Sequence, residues 1–175
     1  MAVLDILTYP DARLKKPSLP VVSFDKTLKN FIQDLEQTMD AGPGGVGIAA
    51  PQVNKLLRII IVDVSPMANA AKLKKRRFKS SNQGRLILIN PEITSASGAE
   101  VAREGCLSVP DYTANVERPS VITIRAKLEN QEIKNIECKG FEARAVLHEI
   151  DHLDGKLFLD RIISTRELFR RKVNN

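Results

Sequence analysis

The chain has no tryptophan, two tyrosines, two cysteines and two histidines among its 175 residues. Two cysteines do not make the disulfide framework of a small secreted scaffold, although a single Cys106–Cys138 bridge or two inert core thiols both stay open at this point. No apolar run approaches the roughly 18 residues of a membrane span. The first residues carry Asp5 and no continuous apolar stretch, and an Arg- and Ser-rich transit segment is missing, so no targeting signal is expected. Cytoplasm is the default location, with a processed organellar chain as the alternative. Internal repeats and dividing linkers are also lacking. With 43% apolar residues, the length suits one domain over residues 1–175 with a sizeable core.

Charge imbalance is confined as well. The net charge is +6, yet residues 72–79 hold six basic residues and no acidic one, and outside them 21 basic residues face 21 acidic ones. The body is neutral and one segment is basic. Its flanks, Ser65–Ala71 and Ser80–Gly84, read as loop. Such a run is most simply a solvated loop. Contact with nucleic-acid phosphates is the functional alternative.

The scarcity of histidine makes its placement informative. Both imidazoles lie in His148-Glu149-Ile150-Asp151-His152. On a helix, residues i and i+4 share a face, so both rings can reach one metal ion. Glu149, one step round, can reach a water on that ion, which makes two ligands and a general base. H-E-x-x-H also arises by chance. Here its flanks Phe141, Ala145, Val146, Leu147, Ile150 and Leu153 are apolar, so the helix is expected to be buried, where this polar group needs a compensating partner. Cys138, at the end of a strand-like run, reads as a small apolar filler. Cys106 follows Gly105, a residue that lets another group approach the backbone. A thiolate with two imidazoles makes a three-ligand set with a position left for water.

The block Gly42–Gly47 superficially resembles a phosphate loop. It lacks the G-K-[S/T] ending, puts Ala50 where the third glycine of G-x-G-x-x-G would stand, and runs into Pro51. A bare-backbone loop lying beside a peptide fits better.

Three blocks occur in order: Gly45-Val46-Gly47-Ile48-Ala49-Ala50-Pro51-Gln52, Glu104-Gly105-Cys106-Leu107-Ser108 and His148 to His152. Together they resemble the three motifs of the peptide deformylases, which remove the N-terminal formyl group from newly made bacterial and organellar proteins. Ile6–Leu14 and Asp151–Phe158 resemble the same family, and the likeness covers most of residues 5–163. Asn54 stands where many members carry Gly, and Asn tolerates positive φ.

The resemblance implies one divalent metal ion held by Cys106, His148 and His152, ferrous iron in the cell, with Zn, Ni or Co also accepted by such a site. It implies Glu149 as general base and then acid. The side-chain amide of Gln52 and the backbone N–H of Leu107 would stabilise the oxyanion, with Gly47 in the same catalytic set. Val46, Gly47, Ala145 and His148 would line a pocket for the methionine side chain. The substrate would be an N-formyl-methionyl nascent peptide and the products formate and a free amino terminus. A monomer without membrane contact is expected. The basic run from Lys72 to Lys79, within an insertion 66–84 that is long for the family, would then face ribosomal RNA. In similar proteins the Asp of the third motif pairs with an Arg after the second, which is Asp151 with Arg118 here.

Two other classes stay open. A zinc endopeptidase would take its third ligand downstream of H-E-x-x-H, where no His follows and Glu167 is the only Glu. Loss of metal in Cys106→Ala separates it from a deformylase. A non-catalytic relative is disfavoured because every expected catalytic residue is present.

Leu28, Phe31, Ile32, Leu35 and Met39 recur at helical spacing and predict a helix over 25–40, capped by Ser23 or Asp25. Leu57–Val64 is predicted as a buried strand, and Leu86–Ile89 as another stopped by Asn90-Pro91. Glu92–Glu104 is expected to turn at Ser97-Gly98. Val121–Leu128 and Glu132–Cys138 form a predicted hairpin. The metal helix should run from Phe141 to Leu153, and Ser164 should cap a short basic helix, Thr165–Lys172. The expected fold is α+β: antiparallel strands wrapped around a central helix carrying H-E-x-x-H, with an N-terminal helix and a short C-terminal helix.

Overall fold

The side-chain alternation of one short strand organises much of the core. The structure, a computed structural model, describes residues 2–42, 45–75 and 79–171. Strand β2 (Ile59–Val62) follows β1 (Gly47–Ala49) and is buried at every residue. Successive side chains of a strand point to opposite faces. Ile59 and Ile61 accordingly meet Leu28, Ile32, Leu35 and Met39 of helix α1 (Lys26–Ala41). Ile60 and Val62 meet Val146, Ile150 and Leu153 of helix α3 (Phe141–Leu153). Burying each such aliphatic side chain is worth about 1.5–3 kcal/mol, so β2 ties both helices to the sheet. Asp25 caps α1 by accepting from the Leu28 N–H at 2.9 Å.

The remaining strands are β3 (Leu86–Ser97), β4 (Glu100–Cys106), β5 (Val109–Arg118), β6 (Val121–Lys127), β7 (Ile133–Lys139) and β8 (Leu168–Arg170). They form two antiparallel sheets, β1-β2-β3-β6-β7 and β4-β5-β8. β1 and β4 are edges. The turn at Ser97-Gly98 forms as expected, with Gly98 at φ +70°. It carries the chain from one sheet to the other. The β6–β7 hairpin is also found. Helix α3 starts at Gly140, whose φ of +59° and contact with the Lys79 carbonyl leave no room for a side chain. Both cysteines are free thiols. No helix among the described residues is long and apolar enough to cross a membrane.

Three expectations are corrected. First, β3 does not stop at Asn90-Pro91. Asn90 takes φ +52°, the ladder shifts register between Ile89 and Glu92, and the strand continues through this irregularity, where a proline is tolerated. The Asn90 side chain is anchored on the backbone of Val21 at 2.8 and 2.9 Å. Second, Ser65–Leu73 is helix α2 rather than loop. Pro66 in its first turn suits a helix start, and none of its residues is buried. Third, the C-terminal helix is not formed. Ser164 does cap, accepting from Arg166 N–H, but it caps a 3-10 turn at Thr165–Glu167, after which β8 pairs with β5. An eight-residue segment with two apolar side chains buries too little to hold a helix, whereas the open edge of β5 offers a ladder. Strand β5 itself had no sequence assignment. The parts of the basic run at 76–78, and Lys172, lie outside the described residues.

Candidate metal centre

Helix α3 is buried at every residue from Glu142 to Leu153, so each polar group on it must find a partner inside the protein. The ladder between β4 and β5 shifts register between Gly105 and Cys106, which ends β4 at the cysteine. There Cys106 Sγ lies 3.2 Å from His152 Nε2. Ligand atoms of Cys106, His148 and His152 all fall within 4.8 Å of one another. His148 Nδ1 lies 2.9 Å from Glu104 Oε2, which leaves Nε2 as its free ligand atom.

Glu104 is the hub behind that imidazole. It accepts from Arg118 at 2.6 and 2.9 Å and from Arg144 at 2.7 Å. Arg118 also donates to Asp151 at 2.8 Å, the pairing expected from sequence, and Arg161 donates to the same carboxylate. Signs alternate through the cluster, so no buried charge is left uncompensated. Burial raises the Glu104 carboxyl, but His148 and Arg118 outweigh it and hold it at about 2. Burial likewise raises the Cys106 thiol, yet His152 and His148 hold it well below the ordinary thiol range. Glu149 is different. Burial pushes it up to about 7 against the pull of the two imidazoles. Its Oε2 and His152 Nδ1 are two of only three buried side-chain N or O atoms without a hydrogen-bond partner among the described residues.

The first motif supplies the opposite wall. A Cβ on Gly47 would lie 2.5 Å from Glu149 Oε1 and 2.9 Å from its Cγ, so the bare backbone is what admits the carboxylate. Gln52 is oriented at both ends: its Oε1 accepts from Ala49 N–H at 2.8 Å, and its Nε2 faces Ser108 Oγ at 3.1 Å and Cys106 Sγ at 3.6 Å. Asn54, two residues past this motif, takes φ +61°, a conformation that Asn tolerates. A cavity of about 250 Å³ lies between these walls. Val46, Gly47, Gln52, Cys106, Leu107, Ala145, His148 and Glu149 all line it, and His152 stands behind Cys106. Every site residue named from sequence is thus brought to one place. Sequence reasoning assigned no role to Glu104, although a glutamate two residues before a candidate ligand is a signal for a group that orients it. It also missed Arg103, Arg144 and Arg171, which line the same cavity. Arg171 stands just past β8, far along the chain, and leaves no local signal.

A buried thiol and two buried imidazoles, one oriented by a carboxylate, are a donor set that fits a divalent transition metal. The unpartnered glutamate beside them fits a proton carrier for a reacting water. Antiparallel sheets closing on a Cys-His-His group with a neighbouring glutamate suit metal-assisted hydrolytic chemistry. The family model for polypeptide deformylase matches residues 3–167. A peptide deformylase of Thermodesulfovibrio yellowstonii is 40% identical over 98% of this chain and 97% of its own length. The crystal structure of peptide deformylase from Ehrlichia chaffeensis superposes with TM-score 0.84 at 32% identity, over 95% of this chain and 91% of that one. A class I type b peptide deformylase from Acinetobacter baumannii, solved with Met-Ala-Ser bound, gives TM-score 0.79 at 32% identity, over 92% of this chain and 99% of that one. The chain belongs to the peptide deformylase family, enzymes that remove the formyl group from nascent polypeptides.

Proposed function

We propose that this chain deformylates N-formyl-methionyl nascent peptides with a divalent metal held by Cys106, His148 and His152, ferrous iron in the cell. The observation that carries this reading is the buried three-donor group beside an unpartnered Glu149 at the wall of a peptide-sized cleft. The metal, when bound, supplies Lewis acidity and a water that loses its proton near neutral pH. Glu149 takes the proton of the attacking water and returns it to the departing amine. Gln52 Nε2 and the Leu107 N–H donate to the oxyanion that develops on the formyl oxygen, each worth about 3 kcal/mol in the transition state. Gly47 keeps the path of the Glu149 carboxylate clear. The Met side chain packs against Val46, Gly47, Ala145 and His148. The peptide backbone runs between the edge strands β1 and β4, and the Met-Ala-Ser complex of the Acinetobacter relative supports a methionine-led peptide in this cleft.

In this reading the whole chain, residues 1–175, is one catalytic domain with α3 as the central helix carrying H-E-x-x-H. It works as a cytoplasmic monomer, and the run from Lys72 to Lys79 meets ribosomal RNA. The test is formate release from a formyl-Met-Ala peptide by protein made and assayed without oxygen, beside Glu149→Ala, with metal content measured throughout. Formate from the wild type only supports the reading. Metal-loaded protein that releases none overturns it. Cys106→Ala should lose the metal and Cys138→Ala should retain it. Retention in Cys106→Ala would favour a peptidase with other ligands.

A further inference from the structure

One side of the cleft carries positive charge that the reaction does not use. Arg103, on β4, and Arg171, just past β8, both line the cavity that holds Cys106 and Glu149. Arg103 is fixed from two directions. Its guanidinium lies 3.5 Å from the centre of the Phe169 ring, and it donates to Asn115 Oδ1 at 3.0 Å and Thr113 Oγ1 at 3.1 Å. These acceptors are neutral, and a stacked ring does not cancel the charge. Arg171 is held by its backbone N–H on the Asp111 carbonyl at 2.8 Å. A Cβ added at Gly105 would overlap its Nη2, so this guanidinium lies directly over the bare backbone of β4. The contacts of these two arginines among the described residues include no carboxylate. The third arginine of the cavity, Arg144, is buried and saturated by Glu104 and the carbonyls of Val116 and Glu100. Two exposed cations, with no carboxylate partner among the described residues, therefore share one edge of the substrate cleft.

We infer that Arg103 and Arg171 are specificity-determining residues that favour formyl-Met peptides carrying a carboxylate side chain at the second or third residue. The inference rests on the deformylase reading above and deepens it. Arg103 lies three residues before Cys106 on the same strand, which at about 3.3 Å per residue is roughly 10 Å from the reacting end. A peptide extended beside β4 with its formyl group at Cys106 brings its second and third residues level with the two guanidiniums. Carboxylate and guanidinium are complementary in charge and in bidentate geometry. At an exposed cleft edge the attraction is modest and sensitive to salt.

The test compares kcat/KM for formyl-Met-Ala-Glu, formyl-Met-Ala-Gln and formyl-Met-Ala-Lys amides, read as formate release by the metal-loaded enzyme. Two exposed pairs predict about a five- to ten-fold preference for Glu over Lys at low salt, shrinking toward one at about 0.5 M salt. The ratio should fall to about one in Arg103→Gln/Arg171→Gln and turn in favour of Lys in Arg171→Glu. A ratio of two substrates on one preparation does not depend on how much of a variant folds. Equal turnover of Glu and Lys peptides by the wild type, or a preference that survives the double substitution, overturns the inference alone. No formate from the Gln peptide overturns the deformylase reading itself and the inference with it.

Discussion

Helix α3 carries a polar cluster at each end, and each contains one buried cysteine and glutamate side chains. At its N-terminal end Glu142 accepts from Ser81 Oγ and from the Gln83 N–H at 2.8 Å, while its own N–H donates to Ser80 Oγ at 2.9 Å. Burial pushes the adjacent Cys138 thiol up to about 12, and the charges of Glu142 and Glu137 add to the rise. Toward the C-terminal end the imidazoles of His152 and His148 drive Cys106 the other way. The two thiols are both buried, so burial does not distinguish them. The sign of the neighbouring charge does. The clusters differ also in completeness. The first closes on itself. The second leaves Glu149 Oε2 and His152 Nδ1 without partners beside a cavity. A polar cluster that satisfies itself adds stability, and one that stops short of closure leaves polar atoms able to meet a ligand.

The sharpest break in this comparison is between the two glutamates. On the reading proposed above, Glu149→Gln keeps the shape and removes the proton carrier, and kcat for formate release should fall about 10³-fold with metal content retained. Glu142→Gln should leave turnover per folded molecule within about two-fold. It removes charge from the Ser81 and Gln83 contacts, and denaturant unfolding should register a loss of about 1–3 kcal/mol. Equal activity losses would erase the distinction between a closed cluster and an open one.

The next effect tests the charges behind the site. Arg118→Leu removes the cation that Glu104 and Asp151 share, leaving buried carboxylates short of a partner. A loss of about 3–5 kcal/mol is expected in urea unfolding. A loss under 1 kcal/mol would mean that Arg144 and Arg161 suffice and that Arg118 is redundant.

The cluster around Cys106 was far more legible in the sequence than the scaffold that carries it. Cys106, His148, Glu149 and His152 are scarce or closely spaced residues whose chemistry is local to a motif. Asp151 and Arg118 could be paired only through the family resemblance, since nothing local in the sequence links them. The N-terminal cluster had no such signal. Ser80, Ser81 and Gln83 read as loop, and nothing in their order points to Glu142, about 60 residues on. The same limit explains the strands that were misjudged. Asn90-Pro91 is a stop signal locally, and only the partner strands turn it into a bulge. Leu168–Arg170 has too little pattern of its own and becomes a strand because β5 has an open edge.

Gly47→Ala probes the open cluster without touching a polar atom. The added methyl meets the Glu149 carboxylate at 2.5–2.9 Å, so the side chain must move. Displacement by about 1 Å can cost on the order of 10²-fold in rate. The loss should appear in kcat for formate release, with metal content unchanged. Unchanged kcat would show that the carboxylate has room to adjust and that Gly47 is needed for the loop alone.

The smallest effect on the enzyme is expected farthest from either cluster. Helix α2 has no buried residue, the reverse of α3, and the basic run begins within it at Lys72. Among the described residues of the run, Lys72, Lys74, Lys75 and Lys79 are exposed. Replacing Lys72, Lys74, Lys75, Arg76, Arg77 and Lys79 with glutamine should change stability by no more than about 0.5 kcal/mol and leave kcat on short formyl peptides as it was. If the run meets ribosomal RNA, the same variant should co-sediment less with ribosomes, and its binding should depend less steeply on salt because fewer counterions are released. Unchanged co-sedimentation removes the RNA reading and leaves α2 and its basic extension as solvated surface.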